Sequence, residues 1–277
     1  MLGAGSLRAA NFLFAVAPSD GATIGEFARD MPLLAILGNN SAVRFDPRKF
    51  IWLGSSSNFD NDAYLMMVRD DAPVKSITEL RRPDGPPLVL GSTAEGTTGS
   101  DVPMLLRETL GLNLKLVAGY PDDGAIFLAV DRGEVYGHTI ALSTMRALRP
   151  DWVKVDGTMR ALLQFARSTR HPDFPDVPTA RELAERDDAR ALIELGEIPY
   201  VMARPFVAPP GVPPDRAAAL QAAFLAVHRD PQVLAEAAQL KHEINPVGSA
   251  EVLRAIDRIA AAPRALLDRL RRTLTKL

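Results

Sequence analysis

The alternation of apolar and polar positions predicts strands and helices that follow one another along most of the chain. Residues 88–110 give the clearest signal. A short apolar run at 88–90 suits a buried strand, and apolar residues then recur at helical spacing between 104 and 110. The pattern predicts a strand, a glycine-rich turn and a helix. Ser100 or Asp101 is predicted to cap this helix, Pro103 to lie in its first turn and Gly111 to follow its end.

The predicted turn combines glycines with hydroxyl side chains, namely Ser92, Thr93, Thr97 and Thr98. Backbone N–H groups, hydroxyls and the positive end of a helix dipole would meet there, which favours an anionic oxygen such as a carboxylate. A plain solvated loop is the alternative, because glycine and hydroxyl residues are common in loops. Gly91 and Gly96 have the glycine spacing of a nucleotide phosphate loop, but Thr97 stands where that motif requires lysine. ATP and GTP binding are therefore not expected.

Further strands are predicted at residues 114–117 and 135–140, with a second glycine-bounded turn at 119–124 between them. The last quarter of the chain is predicted to be helical. Such alternation is typical of α/β lobes with largely parallel sheets. In these folds, the loops after the strands converge at the carboxyl edge of the sheet, where ligands bind.

Composition excludes several classes of protein. The chain has 277 residues, 47% of them hydrophobic and 24% charged, with a formal net charge of −2. This balance indicates a globular protein with no overall attraction to nucleic acid. There is no cysteine, which excludes disulfides, thiol catalysis and cysteine-bound zinc.

Candidate catalytic groups are few. The four histidines lie in different segments, and no pair has the spacing of a helical metal site. His138 differs from the others because it lies in a predicted strand and could reach the edge of a cleft. Asp122 and Asp123 could form an acid–base pair, although a solvated turn is favoured for adjacent residues. The sequence thus predicts neither a catalytic residue, a metal site nor a cofactor.

Several short motifs occur in the order found in one family. They are Gly3-Ala4-Gly5-Ser6, Ala17-Pro18-Ser19-Asp20-Gly21, Gly91-Ser92 through Gly99, Gly119-Tyr120-Pro121, Arg132-Gly133-Glu134-Val135, Asp173-Phe174-Pro175-Asp176-Val177-Pro178-Thr179, Phe206-Val207-Ala208-Pro209-Pro210-Gly211-Val212-Pro213 and Asn245-Pro246-Val247-Gly248-Ser249. In this ordered set the chain resembles the Bug or TctC family, the extracytoplasmic solute receptors of tripartite tricarboxylate transporters. The motifs cover nearly the whole chain, and their order is more specific than any one of them.

The resemblance implies a two-lobed, type II-like periplasmic-binding-protein fold with a ligand cleft between the lobes. It also implies a periplasmic, monomeric receptor that binds a small organic acid and delivers it to the membrane subunits of a transporter, without enzymatic activity. We expect residues 1–96 and 203–277 to form lobe I and residues 97–202 to form lobe II. The family's first strands and export signal would precede Met1, so the chain is expected to be truncated at its amino end.

The expected ligand site combines the two glycine turns with one strand end. Its predicted residues are Ser92, Thr93, Thr97, Thr98, Tyr120, Gly124, His138 and Thr139. Four acidic residues lie in the same loops, namely Glu95, Asp101, Asp122 and Asp123. Because they would repel a multiply charged anion, a mono- or dicarboxylate is expected in preference to citrate. The alternative is an α/β enzyme or a cytoplasmic ligand-sensing domain of similar fold.

Overall fold

A computed structural model describes residues 6–38, 40–94, 96–154, 157–240, 242 and 244–275. The chain divides into two compact units. The first unit comprises Met1–Asn61 and Ile198–Pro263, and the second comprises Asp62–Glu197 and Arg264–Leu277. The chain therefore passes between the units three times, after residues 61, 197 and 263. No described helix is both long enough and apolar enough to cross a membrane.

The first unit contains a four-stranded antiparallel sheet in the order β1-β8-β2-β9. Its strands are β1 (Gly25–Glu26), β2 (Ile51–Ser55), β8 (Pro205–Ala208) and β9 (Val247–Gly248). Its helices are α1 (Leu7–Ala15), α2 (Met31–Leu37), α9 (Pro214–Val227), α10 (Pro231–Gln239) and α11 (Ser249–Ala260).

Aromatic side chains form much of the first unit's core. The Phe27 and Trp52 rings meet edge to face with centroids 5.7 Å apart, and Phe50 packs 5.5 Å from Phe27. The indole Nε1 of Trp52 donates to the Pro47 carbonyl at 2.7 Å. This bond satisfies the polar atom of a side chain that is otherwise fully buried.

The second unit contains a five-stranded mixed sheet in the order β5-β4-β6-β3-β7. Its strands are β3 (Tyr64–Arg69), β4 (Leu88–Gly91), β5 (Leu114–Val117), β6 (Gly137–Ala141) and β7 (Met159–Phe165). Its helices are α3 (Ile77–Leu80), α4 (Thr98–Leu110), α5 (Asp123–Asp131), α6 (Leu142–Leu148), α7 (Ala180–Leu183), α8 (Asp187–Glu197) and α12 (Arg264–Leu274). Two short 3₁₀ turns, Pro150–Val153 in this unit and Ile198–Met202 in the first unit, complete the described elements.

The largely parallel sheets expected from the sequence are not found. In the second unit β4 runs parallel to β5 and β6, but β3 runs antiparallel to both β6 and β7. The described pairs of the first unit are all antiparallel. The alternation of strands and helices along the chain predicts parallel pairing only where a helix connects two strands. It does not determine the direction of a strand that is reached by a long loop.

The units divide the chain at positions other than those expected. β3 and β4 precede residue 97, yet they pair with β6, β7 and β5 in the sheet of the second unit. The carboxyl end divides as well, since α9–α11 belong to the first unit and α12 to the second. On α12, Arg269 contacts Glu108 of α4 at 3.4 Å and Asp188 of α8 at 2.6 Å. These ion pairs tie the final helix to the second unit.

The central strand and helix were largely predicted. β4 covers the predicted apolar run, and Gly111 ends α4 in the left-handed conformation at φ +66°. The predicted start was wrong, because α4 begins at Thr98 with Thr97 as its N-cap residue. Pro103 therefore lies in the helix interior, where its missing N–H leaves the Gly99 carbonyl without its usual intrahelical donor.

Candidate functional site

The candidate site lies at the carboxyl edge of the second unit's sheet. From β4 the chain crosses through α4 to β5 on one side, and from β5 it returns through α5 to β6 on the other side of β4. Strand order therefore reverses between the parallel strands β4 and β6. In α/β sheets, such a switch point opens a crevice at the carboxyl ends of the strands where ligands bind. The predicted glycine turn at residues 92–97 is the loop that leaves β4 at this point.

Four hydroxyls fix the shape of this loop. They form two hydrogen-bonded pairs, called the hydroxyl relays, and one hydroxyl of each pair donates to the Ala94 carbonyl. The Ser100 Oγ and the Thr97 Oγ1 donate to the Ala94 carbonyl at 2.8 and 2.6 Å. The Ser92 Oγ lies 2.7 Å from the Ser100 Oγ, and the Thr93 Oγ1 lies 3.0 Å from the Thr97 Oγ1. Since each hydroxyl has one proton, Ser92 and Thr93 are the donors to Ser100 and Thr97. Three of the hydroxyls expected to bind a ligand, those of Ser92, Thr93 and Thr97, are thus used within the loop.

The turn after β5 is joined to this loop through the backbone. Gly119 donates its N–H to the Thr93 carbonyl at 2.7 Å, and Tyr120 donates to the Ser92 carbonyl at 3.3 Å. Gly119 has φ +105°, a conformation that side-chain-bearing residues rarely adopt. The two predicted glycine turns therefore lie next to each other as one structure.

His138 connects β6 to the start of the first turn, at Gly91, and to the end of the second turn, at Asp123. Its side chain is 1% exposed, its Nδ1 lies 2.9 Å from the Gly91 carbonyl, and its Nε2 lies 3.3 Å from the Asp123 carboxylate. Both ring nitrogens thus face acceptors of the protein itself. A Cβ added to Gly99 would lie 3.0 Å from the imidazole Cε1, so glycine lets α4 approach the ring closely. The imidazole is therefore buried and connects β6 to the end of β4 and to the first turn of α5.

Thr139, the next residue on β6, compensates for the proline in α4. Its Oγ1 donates to the Gly99 carbonyl at 3.3 Å, which is the carbonyl that Pro103 cannot reach with an N–H. The bond holds the first turn of α4 against β6. The predicted residues His138 and Thr139 therefore both position the amino end of α4.

The charges described around the loops are acidic. The Asp122 carboxylate accepts from the Ala125 N–H at 2.8 Å and caps α5, in whose first turn Gly124 lies. Asp123 faces His138, and Asp101 lies in the first turn of α4. The predicted acidic residue Glu95 lies outside the described residues. An anion bound here would have to be stabilised by backbone and neutral donors against these carboxylates.

Sequence analysis missed a second polar cluster at the same edge, where β6 ends and β3 begins. The Asp62 carboxylate accepts from the backbone N–H of Ala63 at 2.8 Å and of Ser143 at 3.0 Å, and from the Ser143 Oγ at 2.6 Å. Arg167 donates to the Asp62 carbonyl at 2.9 Å. Ser143 was predicted to start the helix that follows the strand at 135–140, a position close to the carboxyl end of a strand that could have indicated it. Asp62 gives no local signal because it is 81 residues away along the chain.

Within the described part of the chain, no three His, Asp or Glu side chains come close enough together to hold a metal ion.

Comparisons with solved structures identify the fold of this chain. No protein-family model and no curated protein sequence matches the chain. Among solved structures, an adipate-bound protein of Rhodopseudomonas palustris matches with a TM-score of 0.66 at 18% identity, over 96% of this chain and 82% of its own. MatC of the same organism, with bound malate, matches with a TM-score of 0.61 at 22% identity, over 99% and 86%. A TctC solute-binding protein from Polaromonas, without ligand, matches with a TM-score of 0.61 at 16% identity, over 91% and 80%.

These likenesses span nearly the whole chain and include both units. They confirm the fold that the ordered sequence motifs implied: the chain has the α/β periplasmic-binding fold of the TctC solute-binding proteins.

Proposed function

We propose that this chain is a solute-binding receptor that captures a small mono- or dicarboxylate in the periplasm. It would deliver the acid to the membrane subunits of a tripartite tricarboxylate-type transporter and release it chemically unchanged. The observation that carries this proposal is the whole-chain likeness to two proteins holding dicarboxylates, malate in one and adipate in the other.

The local geometry supports an anion at the β4–β6 switch point. We propose that the loop with Ser92, Thr93, Thr97 and Thr98 holds one carboxylate, mainly through backbone N–H groups that its hydroxyl relays orient. Neutral donors of this kind bind an anion without a buried counter-charge. The turn carrying Tyr120 and Gly124 would form an adjoining wall, and His138 and Thr139 would fix the α4 end from behind.

The acidic residues around the loops limit the number of negative charges on the ligand. Because Asp101, Asp122 and Asp123 lie near the proposed carboxylate position, each additional negative charge on the ligand costs binding energy. Isothermal titration calorimetry with lactate, malate, adipate and citrate tests this ranking. We expect one molecule of malate or adipate to bind per chain, and citrate to bind more weakly. Tightest binding by citrate would contradict the proposed ligand class.

Thr97→Val tests the loop itself. The change keeps the side-chain shape but removes the donor to the Ala94 carbonyl and the acceptor for Thr93. A hydrogen bond between neutral groups contributes about 0.5–1.5 kcal/mol, and its loss here loosens the loop that orients the backbone donors, so we expect affinity for the best acid to fall roughly two- to tenfold.

Two further variants serve as controls for this experiment. Thr97→Ser retains the hydroxyl and should bind like the original chain. Thr109→Val changes the opposite end of α4, where Thr109 Oγ1 donates to the Leu105 carbonyl at 2.7 Å, and should also leave affinity unchanged. Equal affinity in Thr97→Val and the unmodified chain would remove this loop from the site.

A further inference from the structure

Tyr120 differs from its neighbours in the proposed ligand site because its polar atom is not used within the protein. The hydroxyl relays occupy the hydroxyls of the first turn, while Thr139 and His138 lie within hydrogen-bond distance of backbone carbonyls in α4 and β4. Within the described part of the chain, the Tyr120 hydroxyl has no hydrogen-bond partner, and the side chain is partly exposed. This hydroxyl is therefore available to a ligand.

The Tyr120 ring lies at the carboxyl end of β4, where the strand order reverses. A Cβ added to Gly91, the last residue of β4, would lie 3.5 Å from the Tyr120 Cε2. Because Cε2 is bonded to the carbon that carries the hydroxyl, the hydroxyl also lies near this strand end. The Tyr120 N–H donates to the Ser92 carbonyl at 3.3 Å, which ties the residue to the first turn. The available hydroxyl thus lies beside the proposed carboxylate position.

Apolar packing holds the Tyr120 ring in place. The ring packs against a core cluster of the second unit that includes Ile126 and Val135. The same two side chains surround Gly91, where an added Cβ would lie 2.7 Å from the Ile126 Cγ2 and 3.4 Å from the Val135 Cγ2. A tyrosine has few rotatable bonds, so a ring held in this way presents its hydroxyl at a fixed position. A polar group at a fixed position can distinguish ligands by where their own polar groups lie.

The charges of the same turn decide which ligand group suits Tyr120. Asp122 and Asp123 follow it closely in the sequence, and the Asp123 side chain is 43% exposed. A second ligand carboxylate beside Tyr120 would meet these like charges, whereas a neutral hydroxyl would not. The phenol hydroxyl both donates and accepts, so it is complementary to another hydroxyl.

We propose that Tyr120 is a specificity-determining residue that selects 2-hydroxy acids. Its hydroxyl bonds to the ligand hydroxyl on the carbon next to the carboxylate held by the first turn. This inference rests on the proposed receptor function and narrows its ligand class.

Isothermal titration calorimetry with malate and succinate tests the selection. The two acids share one carbon skeleton and two carboxylates, and they differ only in the hydroxyl. A single hydrogen bond between neutral groups gives a modest preference, so we expect malate to bind about three- to tenfold more tightly. Equal affinities for the two acids would overturn the inference.

Tyr120→Phe tests the assigned residue, because it removes the hydroxyl and keeps the ring that packs against the core. We expect malate affinity to fall to within about twofold of succinate affinity in this variant. Circular dichroism melting compares its folding with that of the unmodified protein, and we expect equal midpoints since no described partner is lost. A malate preference retained in Tyr120→Phe would overturn the inference.

Tyr136→Phe is the matched control, since it makes the same chemical change at the opposite end of the parallel strands. Tyr136 precedes β6, and its N–H donates to the Val89 carbonyl at 2.8 Å. We expect this variant to keep the full preference for malate. Loss of the preference in both variants would show that it does not depend on the position of Tyr120, which would contradict the inference.

The position of the ligand hydroxyl is tested with 2-hydroxyadipate and 3-hydroxyadipate. Malate cannot resolve this point, because its hydroxyl is next to one carboxylate and one carbon further from the other. We expect the 2-hydroxy acid to bind more tightly to the unmodified protein and the two to bind equally to Tyr120→Phe. Tighter binding of the 3-hydroxy acid to the unmodified protein would contradict the assigned contact.

Failure of this inference and failure of the proposed function give different results. If malate, succinate and adipate all fail to bind the unmodified protein, the receptor function is wrong and the inference falls with it. If the acids bind without any preference for a hydroxyl, the receptor function stands and the role of Tyr120 alone is wrong.

Discussion

Replacing Gly137 with alanine is expected to lower the free energy of unfolding by about 3 kcal/mol or more. Gly137 starts β6 between β4 and β3, opposite Leu90 and Val68. An added Cβ would lie 2.0 Å from the Met67 carbonyl oxygen and 3.0 Å from the Val68 Cα. Both are backbone atoms of β3, so relief of the clash requires the two central strands to separate.

Urea unfolding followed by circular dichroism measures this loss. Gly85→Ala is the matched control, because an added Cβ there lies 3.4 Å or more from its neighbours and its glycine is partly exposed. We expect the control to stay within about 0.5 kcal/mol of the unmodified protein. A Gly137→Ala protein as stable as this control would show that the β3–β6 pairing is not as close as described.

Deprotonation of Glu197 alone is expected to lower the free energy of unfolding by about 3 kcal/mol as pH rises from about 4.5 to 7. The sign follows from the direction of the shift. Burial raises the pKa of Glu197 from 4.5 in the unfolded chain to about 7 in the folded protein. Between these values the folded state holds the proton more tightly, so each rise in pH favours unfolding. By about pH 8 both states are ionised and this dependence ends.

The difference between the unmodified protein and Glu197→Gln isolates this contribution. Other acids in the chain, such as Asp46 and Asp151, have lowered pKa values because arginines bond to their carboxylates, and they act at lower pH. Urea midpoints of both proteins at several pH values between 4.5 and 8 give the two stability curves. We expect the curve of Glu197→Gln to be flatter by about 3 kcal/mol; parallel curves would exclude the raised pKa.

Local sequence patterns predicted those parts of the fold that depend on neighbouring residues. The β5 strand Leu114–Val117 was predicted at its observed bounds, and the left-handed Gly111 was predicted to end α4. The start of α4 was missed by three or four residues because Pro103 was taken as a first-turn proline. What allows Pro103 in the helix interior is the Thr139 hydroxyl on another strand, which no local pattern reveals.

Long-range pairing explains the other differences. Nothing near β3 or β4 in the sequence tells which sheet they join, so the expected boundary at residue 96 separated strands that pair with one another. The glycine turns were predicted as ligand loops, but the direction of each hydroxyl depends on the fold of the loop. The Asp62–Ser143 cluster depends on contacts between distant segments for the same reason.

Equilibrium dialysis with ¹³C-labelled malate and adipate, followed by NMR of the recovered acid, tests the central proposal most directly. A receptor holds the acid at a saturable single site and returns it chemically unchanged. We predict one bound molecule per chain and complete recovery of the original spectrum after release. Absence of saturable binding to either acid, or conversion of either acid into a product, would contradict the proposed function.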